Sequence, residues 1–184
     1  MIVRISENRY NGDRLRVEVA LRFIGFEART RTIRQWTGLT DDRIRKLYHS
    51  YLQAGGRTTR HRGNSPRQAG YFLRTVRMRD EASALASLCS LVGLFDGYGR
   101  DLLVRRRPID VNQAASLCRA YARYQATVRN PAITFEHAVL LVNALVRANE
   151  LRLGECQGCG ALLVIDSLGL RTSLCFLCSE QASA

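Results

Sequence analysis

Four of the chain's six cysteines fall in one short stretch, CQGCGALLVIDSLGLRTSLCFLC, from Cys156 to Cys178. They form two C-x2-C pairs with fifteen residues between them. A C-x2-C turn delivers two sulfurs at the geometry of a tetrahedral ion, and zinc prefers four such ligands at about 2.3 Å. Gly158 and Gly160 flank Cys159, where a tight turn needs positive φ and its amides can face the sulfur. Four thiolates fill the coordination sphere and leave no position for a reactive water, so the expectation is one structural Zn2+ per chain on Cys156, Cys159, Cys175 and Cys178. Iron, a redox dithiol and free thiols are the alternatives. A tail of roughly 30 residues buries too little apolar surface to fold alone, whereas structural zinc can contribute on the order of 10 kcal/mol. The cysteines thus decide what this end of the chain can become, and losing one should unfold it.

The compartment supports that reading. The N-terminus, MIVRISENRY, lacks the apolar core of a signal peptide, and the longest apolar run, AVLLVNALV from Ala138, is short and interrupted by Asn143. A cytoplasmic chain is expected, with no membrane association, and clustered thiols in a reducing compartment hold metal more often than they pair. Cys89 and Cys118 sit alone in apolar helical patterns and are expected to be small buried side chains.

The formal net charge is +12, and it is unevenly spread. Residues 1–80 carry 18 basic and 7 acidic side chains, net +11; residues 81–184 carry 10 and 9, net +1. A polyanion is therefore expected to meet the front of the molecule. All but Lys46 of the basic residues are arginines, which suit bidentate contacts to phosphate or guanine.

The hydrophobic spacing is helical nearly throughout. Leu15, Val19, Phe23 and Phe26 predict an amphipathic helix over 13–27. Thr40, with Asp41 and Asp42 behind it, predicts a capped helix that ends at Gly55-Gly56. A polar, basic loop follows, then helices over 77–95, from Asp110 to about Val128 (Asp110 and Gln113 resembling a capping box), and from Thr134 to about Leu151. Arg105 to Arg107 before Pro108 reads as a surface turn. In the tail, ALLVI is β-prone, and LRTSL is expected to return antiparallel to it.

The stretch TRTIRQWTGLTDDRIRKLYHS, within about residues 29–54, has the layout of a helix-turn-helix, with Ile33, Leu39, Ile44 and Leu47 at the packing positions. Arg34 stands where a small residue is usual, and would have to snorkel past the first helix. In the usual docking the start of the second helix meets base edges. The candidate DNA contacts are Thr40, Arg43, Arg45 and Lys46, with Arg57, Arg60, Arg62 and Arg67 of the following loop on phosphates or in the minor groove. A plain helical hairpin and a solvated basic loop are the bland readings of the same residues. No G-x-S-x-G, phosphate-cradling Gly-rich loop or His-rich metal pair is present, and no histidine begins the H-x-E of a zinc deaminase.

Two blocks carry a resemblance. TGLTDDRIRKLYHSYLQ is similar to the helix-turn-helix of the flagellar transcriptional regulator FlhC family, with its R-x-x-KLY, and LVRANELRLGECQGCGALLVIDSLGLRTSLCFLC is similar to that family's zinc end. Tyr71-Phe72 stands where an aromatic pair follows the family's proline-containing loop. The order and spacing cover about residues 15–180. The resemblance implies an all-α fold with zinc on the four cysteines, a hetero-oligomer with an FlhD-like partner subunit, and binding of promoter DNA to activate flagellar operons.

The expected fold is mainly α: a helix-turn-helix-containing helical domain over residues 1–151, and a small zinc-ribbon-like unit with four cysteine ligands over 152–184. The expected function is that of a non-enzymatic, DNA-binding activator subunit. The rival readings are a zinc-stabilised protein-interaction module without DNA binding of its own, and a zinc-dependent nucleic-acid enzyme.

Overall fold

The computed structural model describes residues 3–58, 65–95, 110–169 and 174–181, with the backbone alone over 3–9. The chain is mainly helical, as expected. Its elements are α1 Val3–Gly25, α2 Thr30–Thr37, α3 Asp41–Gln53, a 3-10 turn Ala69–Leu73, α4 Val76–Leu91, α5 Val111–Thr127, α6 Phe135–Arg147, β1 Leu151–Glu155, β2 Leu162–Asp166 and α7 Phe176–Gln181. They fall into two compact units, Met1–Ser65 with Pro108–Cys118, and Pro66–Arg107 with Arg119–Ala184. The cysteine-bearing segment belongs to the second unit, together with α4 and α6. No described helix is long and apolar enough to cross a membrane.

In the first unit α1, α2 and α3 pack on one another. Val19, Phe23 and Ile24 of α1, Ile33 and Trp36 of α2, Leu39 of the connection, and Ile44 and Tyr48 of α3 are buried. Each apolar side chain of this size removed from water contributes about 1.5–3 kcal/mol. Phe23 and Trp36 meet with ring centroids 6.1 Å apart, and the Tyr48 hydroxyl donates to the Ala28 carbonyl at 2.7 Å. α2 ends because Gly38 takes the left-handed conformation (φ 71°), its amide donating to the Arg34 carbonyl. α3 begins at Thr40, whose hydroxyl accepts from the Arg43 amide at 3.4 Å.

Of the four expected packing residues, Ile33, Leu39 and Ile44 are buried and Leu47 is half-buried. Arg34 does not run past the first helix. It is exposed and bridges the turn to Asp41 at 3.3 Å. The capping box that opens α5 is reciprocal: the Gln113 amide donates to Asp110 at 2.8 Å, and the Asp110 amide to Gln113 Oε1 at 3.2 Å.

In the second unit the Thr75 hydroxyl caps α4, accepting from the Met78 amide at 3.1 Å. The helix stops at Leu91 rather than running to Phe95, because Gly93 takes φ 72° and the Leu94 amide turns back to the Cys89 carbonyl.

α6 ends at Arg147, four residues before its expected end, where Ala148 adopts φ 53°. The residues beyond it form a strand. β1 pairs antiparallel with β2 in the register Leu151↔Asp166 through Glu155↔Leu162. ALLVI therefore finds a partner upstream, in LRLGE; of the expected return strand LRTSL, residues 170–173 lie outside the described part. β2 packs on α4 and β1 against α6. Leu151, Leu163 and Val164 are buried, and Ser83 Oγ accepts from the Val164 amide at 2.9 Å.

A buried carboxylate organises the rest of this unit. Glu81 accepts from Arg77 Nε and from the Ala132 amide, both at 2.8 Å, and from the Tyr124 hydroxyl. Tyr124 in turn accepts from the Ile133 amide at 3.1 Å, while Tyr121 donates to the Ile133 carbonyl. Burial raises the Glu81 pKa, but the donors from Tyr124, Ala132 and Arg77 outweigh it and hold the group below its ordinary value. Tyr124 is pushed up, by burial first and then by its bond to Glu81.

Candidate functional site

The four cysteines converge. β1 delivers Cys156 to the knuckle and β2 leaves it. The Cys156 amide donates to the Ala161 carbonyl, and the Gly160 amide to the Cys156 carbonyl, each at 2.8 Å. Cys175 and Cys178 come from the start of α7, where the Ser179 amide closes the first turn on the Cys175 carbonyl. The four sulfurs lie within 4.8 Å of one another, and Cys159 Sγ is 3.7 Å from Cys175 Sγ. A tetrahedron with metal–sulfur bonds of about 2.3 Å has edges of about 3.8 Å. The arrangement can therefore hold one metal ion with little contraction, and 3.7 Å is far longer than the S–S bond of about 2.05 Å.

The glycines of the knuckle have different tasks. Gly160 takes φ 72° with open space around it. Gly158 has ordinary φ but no room, since a Cβ there would sit 2.8 Å from Cys178 Sγ. One glycine serves the turn; the other lets the second cysteine pair approach.

The thiols are electrostatically unequal. Cys156 is pulled down to about 6, chiefly by the Cys175 amide, which donates to its sulfur at 3.3 Å, and further by the Cys159 and Gly158 amides. Cys178 is pushed up to about 12, mainly by its contacts with the other three sulfurs, and Cys159 is also raised. The cage thus stabilises one thiolate by backbone donors and opposes further ones; a cation at its centre removes that opposition. Cys89 and Cys118 are buried elsewhere, and burial raises the Cys89 thiol to about 12.

The expected DNA contacts are distributed unevenly. Thr40 is spent as the α3 cap. Arg43 makes a bidentate pair with Asp13 of α1 at 3.0 and 2.6 Å, which lowers the Asp13 pKa and raises that of Arg43. Arg45 pairs with Asp42 at 3.2 Å. Lys46, Arg57 and Arg67 are exposed, and Arg60 and Arg62 lie outside the described residues. Thr40, Arg43, Arg45 and Lys46 share the exposed N-terminal half of α3, but two of the cations there are already matched by carboxylates.

Sequence reasoning did not find Asp13 as the partner of Arg43, nor Ser83 and Glu81 as the groups that seat the hairpin and the turn after α5. Asp13 and Arg43 are 30 residues apart, so no local pattern could pair them. No family model matches the chain, and no curated protein matches it.

Proposed function

We propose that the chain is a DNA-binding subunit of a transcriptional activator, with a structural zinc ion on Cys156, Cys159, Cys175 and Cys178. The observation that carries this reading is the α2–Gly38–α3 arrangement. A capped helix with Arg45 and Lys46 exposed on its first two turns follows a short half-buried helix across a three-residue connection, the layout from which helix-turn-helix proteins read the major groove. The net +11 of residues 1–80 supports it. The resemblance of the two sequence blocks to the FlhC family supplies the rest: a partner subunit of the FlhD kind, promoters of flagellar operons, and a cytoplasmic site of action. Zinc is the preferred ion because a closed set of four thiolates suits it, and such a set leaves no open position for catalysis.

The pairing of Arg43 with Asp13 and of Arg45 with Asp42 favours one rival, a protein-interaction module without DNA binding of its own. Titrating a labelled promoter duplex with the metal-loaded chain and its partner, at a series of salt concentrations, separates the two. Each phosphate neutralised adds about 0.9 to the slope of log affinity against log salt. Arg45→Ala with Lys46→Ala should flatten that slope. No retardation of the duplex at low salt would sink the reading.

A further inference from the structure

We propose that the second unit carries its own phosphate-contacting surface, where the turn after α5 meets the start of α4, with Arg123 and Arg129 as the contacting residues. The partner is the backbone of duplex DNA, and in this the inference rests on the reading that the chain binds DNA.

The surface is assembled by the Glu81 network. Arg77 Nε binds Glu81, and Arg77 Nη2 donates to the Asn130 carbonyl at 2.6 Å. The other Glu81 oxygen holds the Ala132 amide and Tyr124. Two of these hydrogen bonds, to the Asn130 carbonyl and from the Ala132 amide, tie the turn at 128–132 to the first two turns of α4. A third joins Tyr124 of α5 to Glu81, and the fourth, between Arg77 and Glu81, orients the two α4 side chains. Arg129 in that turn and Arg123 beside Tyr124 emerge exposed, and neither forms an ion pair with a described residue. Arg74, one turn before Arg77, is exposed as well and steadied by Gln68 at 2.7 Å.

Two of the three described carboxylates of this region are withdrawn from the surface. Between residues 66 and 149 of the second unit, the described acids are Asp80, which is half-buried, and Glu81 and Glu136, which are buried. Exposed cations there face no exposed carboxylate of the same stretch. In the first unit, by contrast, Arg22, Arg34, Arg43 and Arg45 are matched by Glu18, Asp41, Asp13 and Asp42.

A protein-binding patch has an apolar centre. Among the described residues of the first turn of α4 and of 119–135, the large apolar side chain left exposed is Val76. Unpaired guanidinium groups on a hydrogen-bonded scaffold, without an apolar centre, suit a phosphate backbone.

The test is fluorescence anisotropy of a labelled mixed-sequence duplex with the full metal-loaded chain over about 50–200 mM salt. Arg123→Gln with Arg129→Gln, which breaks no described contact, should make the log–log slope shallower by about 1.8, so that affinity falls about 12-fold less across that range. Arg147→Gln with Arg152→Gln removes the same charge; Arg147 lies at the far end of α6, about 18 Å along that helix from the turn. That control should leave the slope within a few tenths of wild type.

An unchanged slope in the Arg123/Arg129 variant overturns the proposal, and so does an equal effect in the control, which would reduce it to net charge. If Arg45→Ala with Lys46→Ala is silent while the Arg123/Arg129 variant flattens the slope, the role given to α3 falls and this surface stands; the opposite pattern removes this surface alone. Capture of polyglutamate but not duplex assigns the patch to an acidic protein and overturns it too. Circular dichroism of each variant confirms that the fold is kept.

Discussion

Gly158→Ala should weaken metal binding far more than Gly160→Ala, although both glycines border the same cysteine. At Gly158 the added Cβ meets Cys178 Sγ at 2.8 Å and Cys178 Cβ at 3.1 Å. Relieving the first contact to an ordinary 3.4 Å requires a displacement of about 0.6 Å, three times the roughly 0.2 Å by which metal–ligand distances vary in sound sites. The sulfur cannot move that far and keep its place in the tetrahedron, so affinity should drop by about 10–100-fold, the range seen when groups that orient ligands are disturbed. At Gly160 the Cβ meets nothing within 4 Å and the cost is the left-handed φ of 72°, about 1–2 kcal/mol of fold stability. Competition against a chromophoric chelator gives the affinities, and chemical denaturation the stabilities. Equal metal affinities for Gly158→Ala and wild type, or a larger loss for Gly160→Ala, would refute the packing argument.

Tyr124→Phe leaves the Ile133 amide without a partner and takes one of two donors from a Glu81 oxygen, and should cost about 1–3 kcal/mol in urea denaturation; a change under a few tenths would show that the network is dispensable. Because Glu81 is held below its ordinary pKa, its ion contributes stability above the unfolded value near 4.5 and loses it as pH falls through the folded value. Glu81→Gln should therefore flatten the loss of stability on acidification below that value, measured by denaturant midpoints. Cys159→Ser should abolish stoichiometric metal binding and expose α7 to hydrogen exchange. The Val164 amide should stay protected, since it bonds to Ser83 and the hairpin packs on α4; loss of protection at Val164 would show that the metal also holds the hairpin.

The parts legible in the sequence are those whose physics is local. Asp110 and Gln113 cap α5 across three residues, Thr40 caps α3, Gly38 stops α2, and each C-x2-C pair places its own two sulfurs. β1 is hidden because LRLGE continues the leucine spacing of α6. Its strand character comes from pairing with β2 and from burial of Leu151, neither of which leaves a local mark. In the sequence Glu81 is only one more helical residue, because its partners Tyr124 and Ala132 lie 43 and 51 residues away. Charge counting assigns the excess of cations to the first 80 residues. It cannot show that Asp13 and Asp42 match two of the α3 arginines, or that Glu81 and Glu136 are withdrawn from the surface elsewhere.

The most direct test is elemental analysis of the purified chain beside its Cys156→Ser, Cys159→Ser double variant, with free thiols counted in both. One tightly held metal ion per chain, absent from the variant, is the expected result, with four thiols of the native protein becoming reactive only after chelation. A native chain that retains no metal, takes up none on titration and offers all four of those thiols freely would contradict the account.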